Sequence, residues 1–205
     1  MIGVIDTGVG NIPSVCSALK KINSDFILCS SKLDLDRASK FILPGVGSYK
    51  TFFENIQKKN IFDEIKIRVK NETPILGICL GFHALFESSN EFGNYNGFKF
   101  INGRVTNIQC LNIQERIPHV GWNNCEIKKK STIFKNIDNN TNFYFTHSFT
   151  PINVQKSNIS GVVNYGKELV VAVHNHNVFG VQFHPEKSQK QGLQLIKNFV
   201  EDFNA

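Results

Sequence analysis

The sequence contains no paired cysteine spacing, no apolar run of membrane length and no long block of like charge, and each absence removes a class of protein. Its five cysteines, Cys16, Cys29, Cys79, Cys110 and Cys125, are odd in number and include no C-x-x-C pair. Neither a disulfide framework nor a zinc site is therefore expected, and reduced thiols point to a cytoplasmic setting. The start, Met1-Ile2-Gly3-Val4-Ile5-Asp6, turns polar too soon for a signal peptide, and no apolar stretch approaches a bilayer span. Sequons such as Asn71-Glu72-Thr73 and Asn158-Ile159-Ser160 then read as accidents of an asparagine-rich chain. The net charge is +6, but the one dense basic run is Lys128-Lys129-Lys130. That run reads as a solvated turn, and no nucleic-acid partner is expected. The dinucleotide pattern G-x-G-x-x-G is missing, and His174 and His176 have no carboxylate or cysteine nearby, so no cofactor or metal is expected.

What remains is one core's worth of sequence. At 205 residues and 41% hydrophobic content, a single globular domain over 1–205 is predicted. The first half alternates strand candidates, 2–5, 26–29, 41–43 and 75–78, with helical patterns. Pro13 fits the first turn of a helix carrying Val15, Ala18, Leu19 and Ile22 at helical spacing, and a second pattern covers 61–69. This is the rhythm of βα units in a mostly parallel sheet. From residue 98 strands dominate (98–105, 120–127, 142–149, 162–173 and 178–183), extending the sheet with antiparallel and mixed pieces. Helical spacing returns over 192–203.

The strongest local signal is Pro74-Ile75-Leu76-Gly77-Ile78-Cys79-Leu80-Gly81, an apolar strand followed by G-x-C-x-G and a helical pattern over 82–87. This is the cysteine form of a nucleophile elbow, in which glycines permit a strained turn that exposes one reactive side chain. A helix N-terminus favours thiolate there, and the Leu80 N–H is expected to face an oxyanion beside the sulfur. A structural cysteine between chance glycines is the bland alternative for this motif alone. A thiolate nucleophile needs a base, and the base needs an orienting partner. Phe183-His184-Pro185-Glu186 offers both. Pro185 disfavours helix at His184, so an extended chain is expected to turn His184 and Glu186 to the same side, facing Cys79. Taken alone, the triplet also reads as a surface His-Pro turn. Leu43-Pro44-Gly45-Val46-Gly47-Ser48 follows a strand and belongs at the same carboxyl edge of the sheet, where one of its amides can supply a second oxyanion donor. His119 and Trp122 read as core, turn or a partner-facing patch. His147 sits in a strand whose polar end can reach the cleft. His174 and His176 read as a strand-to-strand turn.

In chain order these motifs resemble the class I (triad) glutamine amidotransferases, and among them the glutaminase subunits of imidazole glycerol phosphate synthase. The resemblance covers nearly the whole chain. It rests on the elbow, on Leu43-Pro44-Gly45-Val46-Gly47, on Pro118-His119-Val120-Gly121-Trp122-Asn123, on Tyr144-Phe145-x-His147-Ser148 and on Gly180-Val181-Gln182-Phe183-His184-Pro185-Glu186-Lys187-Ser188. It implies a flavodoxin-like, three-layer α/β fold with a mixed, mostly parallel sheet, and a triad of Cys79, His184 and Glu186. Leu80, Val46 and Gly47 would serve the oxyanion, with His83 and Ser148 at the substrate. The implied substrate is L-glutamine, with no cofactor. The implied partner is a separate (β/α)8-barrel synthase, met through Asn11, Trp122 and Lys187, which uses the ammonia in histidine biosynthesis. The chain departs from the family pattern at Thr7, at Ile12-Pro13 and at Phe82-His83, where the family usually has Met-Gln. Three alternatives stand beside this: a paralogue feeding ammonia to another barrel synthase, a non-catalytic stabilising subunit, and a cysteine peptidase or deglycase on the related fold.

Overall fold

Short apolar runs bounded by turns form the parallel part of the sheet in this computed structural model, which describes residues 1–202. Strands β1 (Ile2–Ile5), β2 (Phe26–Cys29), β3 (Lys40–Leu43) and β4 (Ile75–Ile78) pair in parallel in the order β2-β1-β3-β4. The helices between them are α1 (Ile12–Lys21), α2 (Lys32–Asp36), α3 (Tyr49–Lys58) and α4 (Phe62–Lys70). Pro13 occupies the first turn of α1, and Val15, Ala18 and Leu19 form its buried stripe, as their spacing predicts. Sequence periodicity does not mark α2 or α3. The first is five residues long and depends on a capping box between Ser31 and Asp34. The second buries Tyr49, Phe52, Phe53 and Ile56, a largely aromatic face that reads equally well as strand.

The elements that follow are α5 (Leu80–Ala84), β5 (Ser88–Ser89), β6 (Tyr95–Asn96), β7 (Arg104–Asn107), β8 (His119–Ile127), β9 (Thr141–His147) and β10 (Phe149–Ile152). The chain ends its described part with β11 (Ile159–Tyr165), β12 (Lys167–Asn175), β13 (Val178–Val181) and α6 (Gln189–Glu201). Strand β13 joins β4 in parallel, and β12, β11, β8 and β9 continue the sheet antiparallel. The result is a nine-stranded mixed sheet, with a second sheet in the order β10-β7-β5-β6.

Alternation along the strands builds three layers. Ile42, Leu76 and Ile78 face one apolar cluster with Val15, Leu19, Leu195 and Phe199, from α1 and α6. Phe41, Leu43 and Ile75 face another with Phe52, Ile56, Ile65 and Val69, from α3 and α4. Among the described residues, no helix is long and apolar enough to cross a membrane.

Several expected boundaries move. The strand expected over 98–105 reduces to β7, because the backbone N–H groups of Phe98, Phe100 and Ile101 donate to Ala84 and Leu85 at the end of α5. Phe98 there stacks on Phe62, with ring centroids 4.8 Å apart. The strand expected over 162–173 is the end of β11 and the start of β12, a hairpin turning at Gly166, whose φ of +68° suits a residue without Cβ. The strand expected over 142–149 breaks at Ser148, where the chain passes from the large sheet to the small one. The final helix begins earlier than expected, at Gln189, and Phe203 lies outside the described residues.

Candidate active site

The parallel strands β3, β4 and β13 end at one edge of the sheet, and each delivers part of a cavity of about 430 Å³ there. Cys79 follows β4 with φ +54° and ψ −106°, a conformation that non-glycine residues adopt at a cost. Its N–H donates to Val181 and its carbonyl accepts from His83. Glycine at 81 is what lets the turn lie this close to β3. A methyl group on Gly81 would lie 1.7 Å from the Leu43 carbonyl oxygen. Two parts of the sequence reading change here. Helix α5 is five residues, shorter than the 82–87 pattern implies, so its amide dipoles amount to about one turn. The Leu80 N–H does not face the cavity but donates to the Gly45 carbonyl at 3.2 Å. Val46 and Gly47 line the cavity beside it.

His184 arrives from β13 and is 1% exposed. Its N–H donates to the Tyr144 carbonyl at 2.9 Å, and its carbonyl accepts from Ser188 Oγ at 2.7 Å. The backbone is extended only at His184 itself; Pro185–Lys187 is a 3-10 turn. Glu186 therefore reaches the ring by curling back, not by strand alternation, and the expected pairing arises from a different local geometry. His184 Nδ1–H donates to Glu186 Oε1 at 2.8 Å. Burial opposes a charged imidazole, but hydrogen-bonding and Coulombic attraction to Cys79 and Glu186 outweigh it and hold the pKa up at about 10. The other ring nitrogen, Nε2, has no aligned hydrogen-bond partner.

Ser148 and His83 line the same cavity. His83 is buried, and its Nε2 lies 2.7 Å from Gln182 Oε1. Burial pushes its pKa down to about 4, against hydrogen bonds to Gln182 and the Phe149 backbone, so the ring is neutral. Gln182 in turn places Nε2 4.0 Å from Cys79 Sγ.

Two residues here escape sequence reasoning. Gln182 is hidden inside an apolar strand pattern. Glu91 contributes a carboxylate to the cavity while only 7% exposed; burial raises its pKa, and a backbone hydrogen bond from Tyr49 opposes the rise. Its one sequence cue is its place before Phe92-Gly93 in a stretch without periodicity.

The residues expected at a partner surface divide. Asn11 turns inward, its Nδ2 donating to Glu186 Oε1 at 3.1 Å and its Oδ1 accepting from Ser14 Oγ at 2.7 Å. Trp122 is 48% exposed and meets Tyr144 edge-on, and Lys187 Nζ lies 5.9 Å above the same Tyr144 ring. Those three side chains form one outward patch. His174 and His176 close the β12–β13 turn, as expected, through a 2.9 Å bond from His174 Nε2–H to the His176 carbonyl. Lys128 is paired with Glu126 and Glu168.

The glutamine amidotransferase class-I family profile matches residues 4–203. The chain is 40% identical over 201 residues to imidazole glycerol phosphate synthase subunit HisH 2 of Methanococcus maripaludis, covering 98% of each. It is 41% identical to subunit HisH of Caldanaerobacter subterraneus, again over 98% of each. Against HisH 1 of Campylobacter jejuni it is 39% identical, over 98% of this chain and 99% of that one. Among solved structures, a crystal structure of a glutamine amidotransferase superposes with a TM-score of 0.77 at 19% identity, covering 98% of this chain and 97% of that one.

Proposed function

Because the chain belongs to the class-I glutamine amidotransferase family, among the HisH subunits of imidazole glycerol phosphate synthase, we propose that Cys79, His184 and Glu186 hydrolyse L-glutamine to glutamate and ammonia. The reading takes the whole chain as one glutamine amidotransferase domain. The observation that carries it is the His184–Glu186 pair, 2.8 Å apart with both side chains buried, whose cation Cys79 also stabilises.

The chemistry follows from that pairing. Thiolate attack on the glutamine side-chain amide forms a C–S bond and moves negative charge onto the carbonyl oxygen. The attack consumes the thiolate charge that supports the His184 cation, so the ring becomes more acidic and protonates the departing nitrogen. Ammonia leaves, and a thioester remains. Neutral His184 then takes a proton from water as it adds to the thioester, and glutamate and the thiol are released. Glu186 holds the ring with its Nδ1 proton toward the carboxylate throughout. Asn11 fixes the same carboxylate oxygen from the other side.

Glutamine carries an α-ammonium group, and Glu91 is the carboxylate that lines the cavity. Glu91→Gln is expected to raise KM for glutamine by about tenfold to a hundredfold, the usual weight of a hydrogen bond to a charged group, with a smaller change in kcat. Steady-state kinetics showing an unchanged KM would remove Glu91 from the substrate site.

The Leu80 N–H is closed to an oxyanion in this conformation, since it is tied to the Gly45 carbonyl. The Gly45–Val46 peptide must turn away before that amide can serve, and a missing oxyanion donor costs about 10²–10³ in rate. In this reading a (β/α)8-barrel synthase docks on the Trp122, Tyr144 and Lys187 patch, prompts that turn and takes the ammonia for imidazole glycerol phosphate synthesis. A glutaminase assay with and without the synthase subunit tests this. Hydrolysis is expected to rise at least about a hundredfold on assembly. No hydrolysis in the assembled complex would overturn the glutaminase reading, and equal rates with and without the partner would overturn the closed oxyanion site.

A further inference from the structure

We propose that His119 is a positioning residue for the glutamine pocket, acting through His147 to hold the Thr146–Phe149 wall in place. The proposal rests on the reading of this cavity as the glutamine site. The wall lies where the chain leaves β9 for β10 and changes sheets: Thr146 and His147 pair with β8, Phe149 pairs with β7, and Ser148 between them belongs to neither ladder. The Ser148 carbonyl accepts from Ile108 N–H at 2.9 Å. The next carbonyl, that of Phe149, is held by a side chain, His147 Nδ1, at 2.8 Å.

Hydrogen-bond direction along this chain is fixed from that end. A carbonyl oxygen only accepts, so His147 carries a proton on Nδ1. The ring is buried among His83, His119 and His184, and burial with those neighbours pushes its pKa down to about 3, leaving it neutral. A neutral ring with its proton on Nδ1 has a bare Nε2 that can only accept. His119 Nδ1 lies 2.9 Å from that atom and must therefore donate. By the same logic His119 Nε2 is an acceptor, and Asn123 Nδ2 lies 3.5 Å from it. Both histidines thus adopt the Nδ1–H tautomer, the less favoured form of a free imidazole.

His147 lines the cavity and His119 does not. Instead His119 is held between Phe145 and Tyr165, with ring centroids 4.7 and 4.0 Å away. Removing its donor leaves the buried His147 Nε2 unsatisfied, a costly state. His147 escapes it by moving its proton to Nε2, which leaves the Phe149 carbonyl to His83 alone and loosens Ser148 beside it. Opposite each other in the β8–β9 ladder, His119 and His147 are three rungs from Trp122 and Tyr144. The pocket wall is built on the same strand pair as the outward patch.

Two measurements test this in the complex with the synthase subunit and in the chain itself. His119→Phe keeps the ring stack and removes the donor, and is expected to raise KM for glutamine about tenfold while kcat changes less than about threefold. His119→Asn keeps an N–H where Nδ1 was and is expected to hold KM within about threefold of the unsubstituted protein. An unchanged KM in the Phe variant, or an Asn variant as impaired as the Phe variant, would overturn the proposal. Imidazole 15N NMR of the unsubstituted chain needs no variant to fold: both rings are expected in the Nδ1–H form at neutral pH, and His147 as Nε2–H or imidazolium would overturn it. Cys79→Ala run alongside keeps the two readings apart. Hydrolysis surviving in that variant removes the glutaminase site, whereas the tautomers report on the histidine pair alone.

Discussion

Cys79→Ala is expected to lower glutamine hydrolysis by at least about 10³-fold in the assembled complex, leaving only what binding and the oxyanion donors contribute. The reason is specific to the arrangement. Alanine removes the atom that bonds to the amide carbon, and it also removes one of the two attractions that hold the His184 cation against burial. The pKa of His184 should then fall from about 10, which NMR titration of that ring would detect. Synthesis driven by added ammonia should persist, because that route does not pass through the thioester. Equal loss of both activities would identify Cys79 as a structural residue.

Acidification should unfold this protein over a window set by its neutral buried histidines. Burial depresses the pKa of His83 and His119 to about 4 and, with repulsion from neighbouring rings, that of His147 to about 3. In the unfolded chain each titrates near 6.5. Between those values the unfolded chain binds more protons, so stability is fully present above about pH 6.5 and is lost as pH falls toward the folded values. His83 and His119 each account for about 3 kcal/mol over that range and His147 for about 5 kcal/mol, so protonating two offsets much of a typical domain's stability of roughly 5–15 kcal/mol. Asp6, whose pKa the Lys59 contact and the Gly8 N–H lower against burial, adds loss in the same direction at lower pH. Glu91, raised by burial, works the other way. Thermal melting followed by circular dichroism should show the midpoint falling steeply between pH 6.5 and 4. A midpoint flat across that range would refute the neutral assignment of these rings.

Much of this protein is legible in its sequence. The strands at 2–5, 26–29 and 75–78 follow from apolar runs between turn residues, and α1 follows from Pro13 and its 3.6-residue stripe. Cys79 stands out because a glycine on either side permits a turn that other residues resist, and His184 with Glu186 because two residues of separation allow one carboxylate to hold one ring. All are local relations, in which backbone preference and spacing act within a few residues.

Where the reading failed, distant atoms had intervened. Strand pattern across 98–105 lost to the backbone acceptors at the end of α5, and the 142–149 strand broke where it changes sheets. Glu91 and Gln182 gained their places from packing, which no period records. Asn11 is 175 residues from the carboxylate it holds, and Leu80 N–H is captured by the Gly45 carbonyl in the loop after β3. Residue identity was enough to propose a nucleophile, a base and its partner, because those roles depend on chemical type. Which way each amide and imidazole donates, and which rings stay neutral, belonged to the folded chain, because hydrogen-bond direction and desolvation are set by neighbours that only tertiary packing brings together.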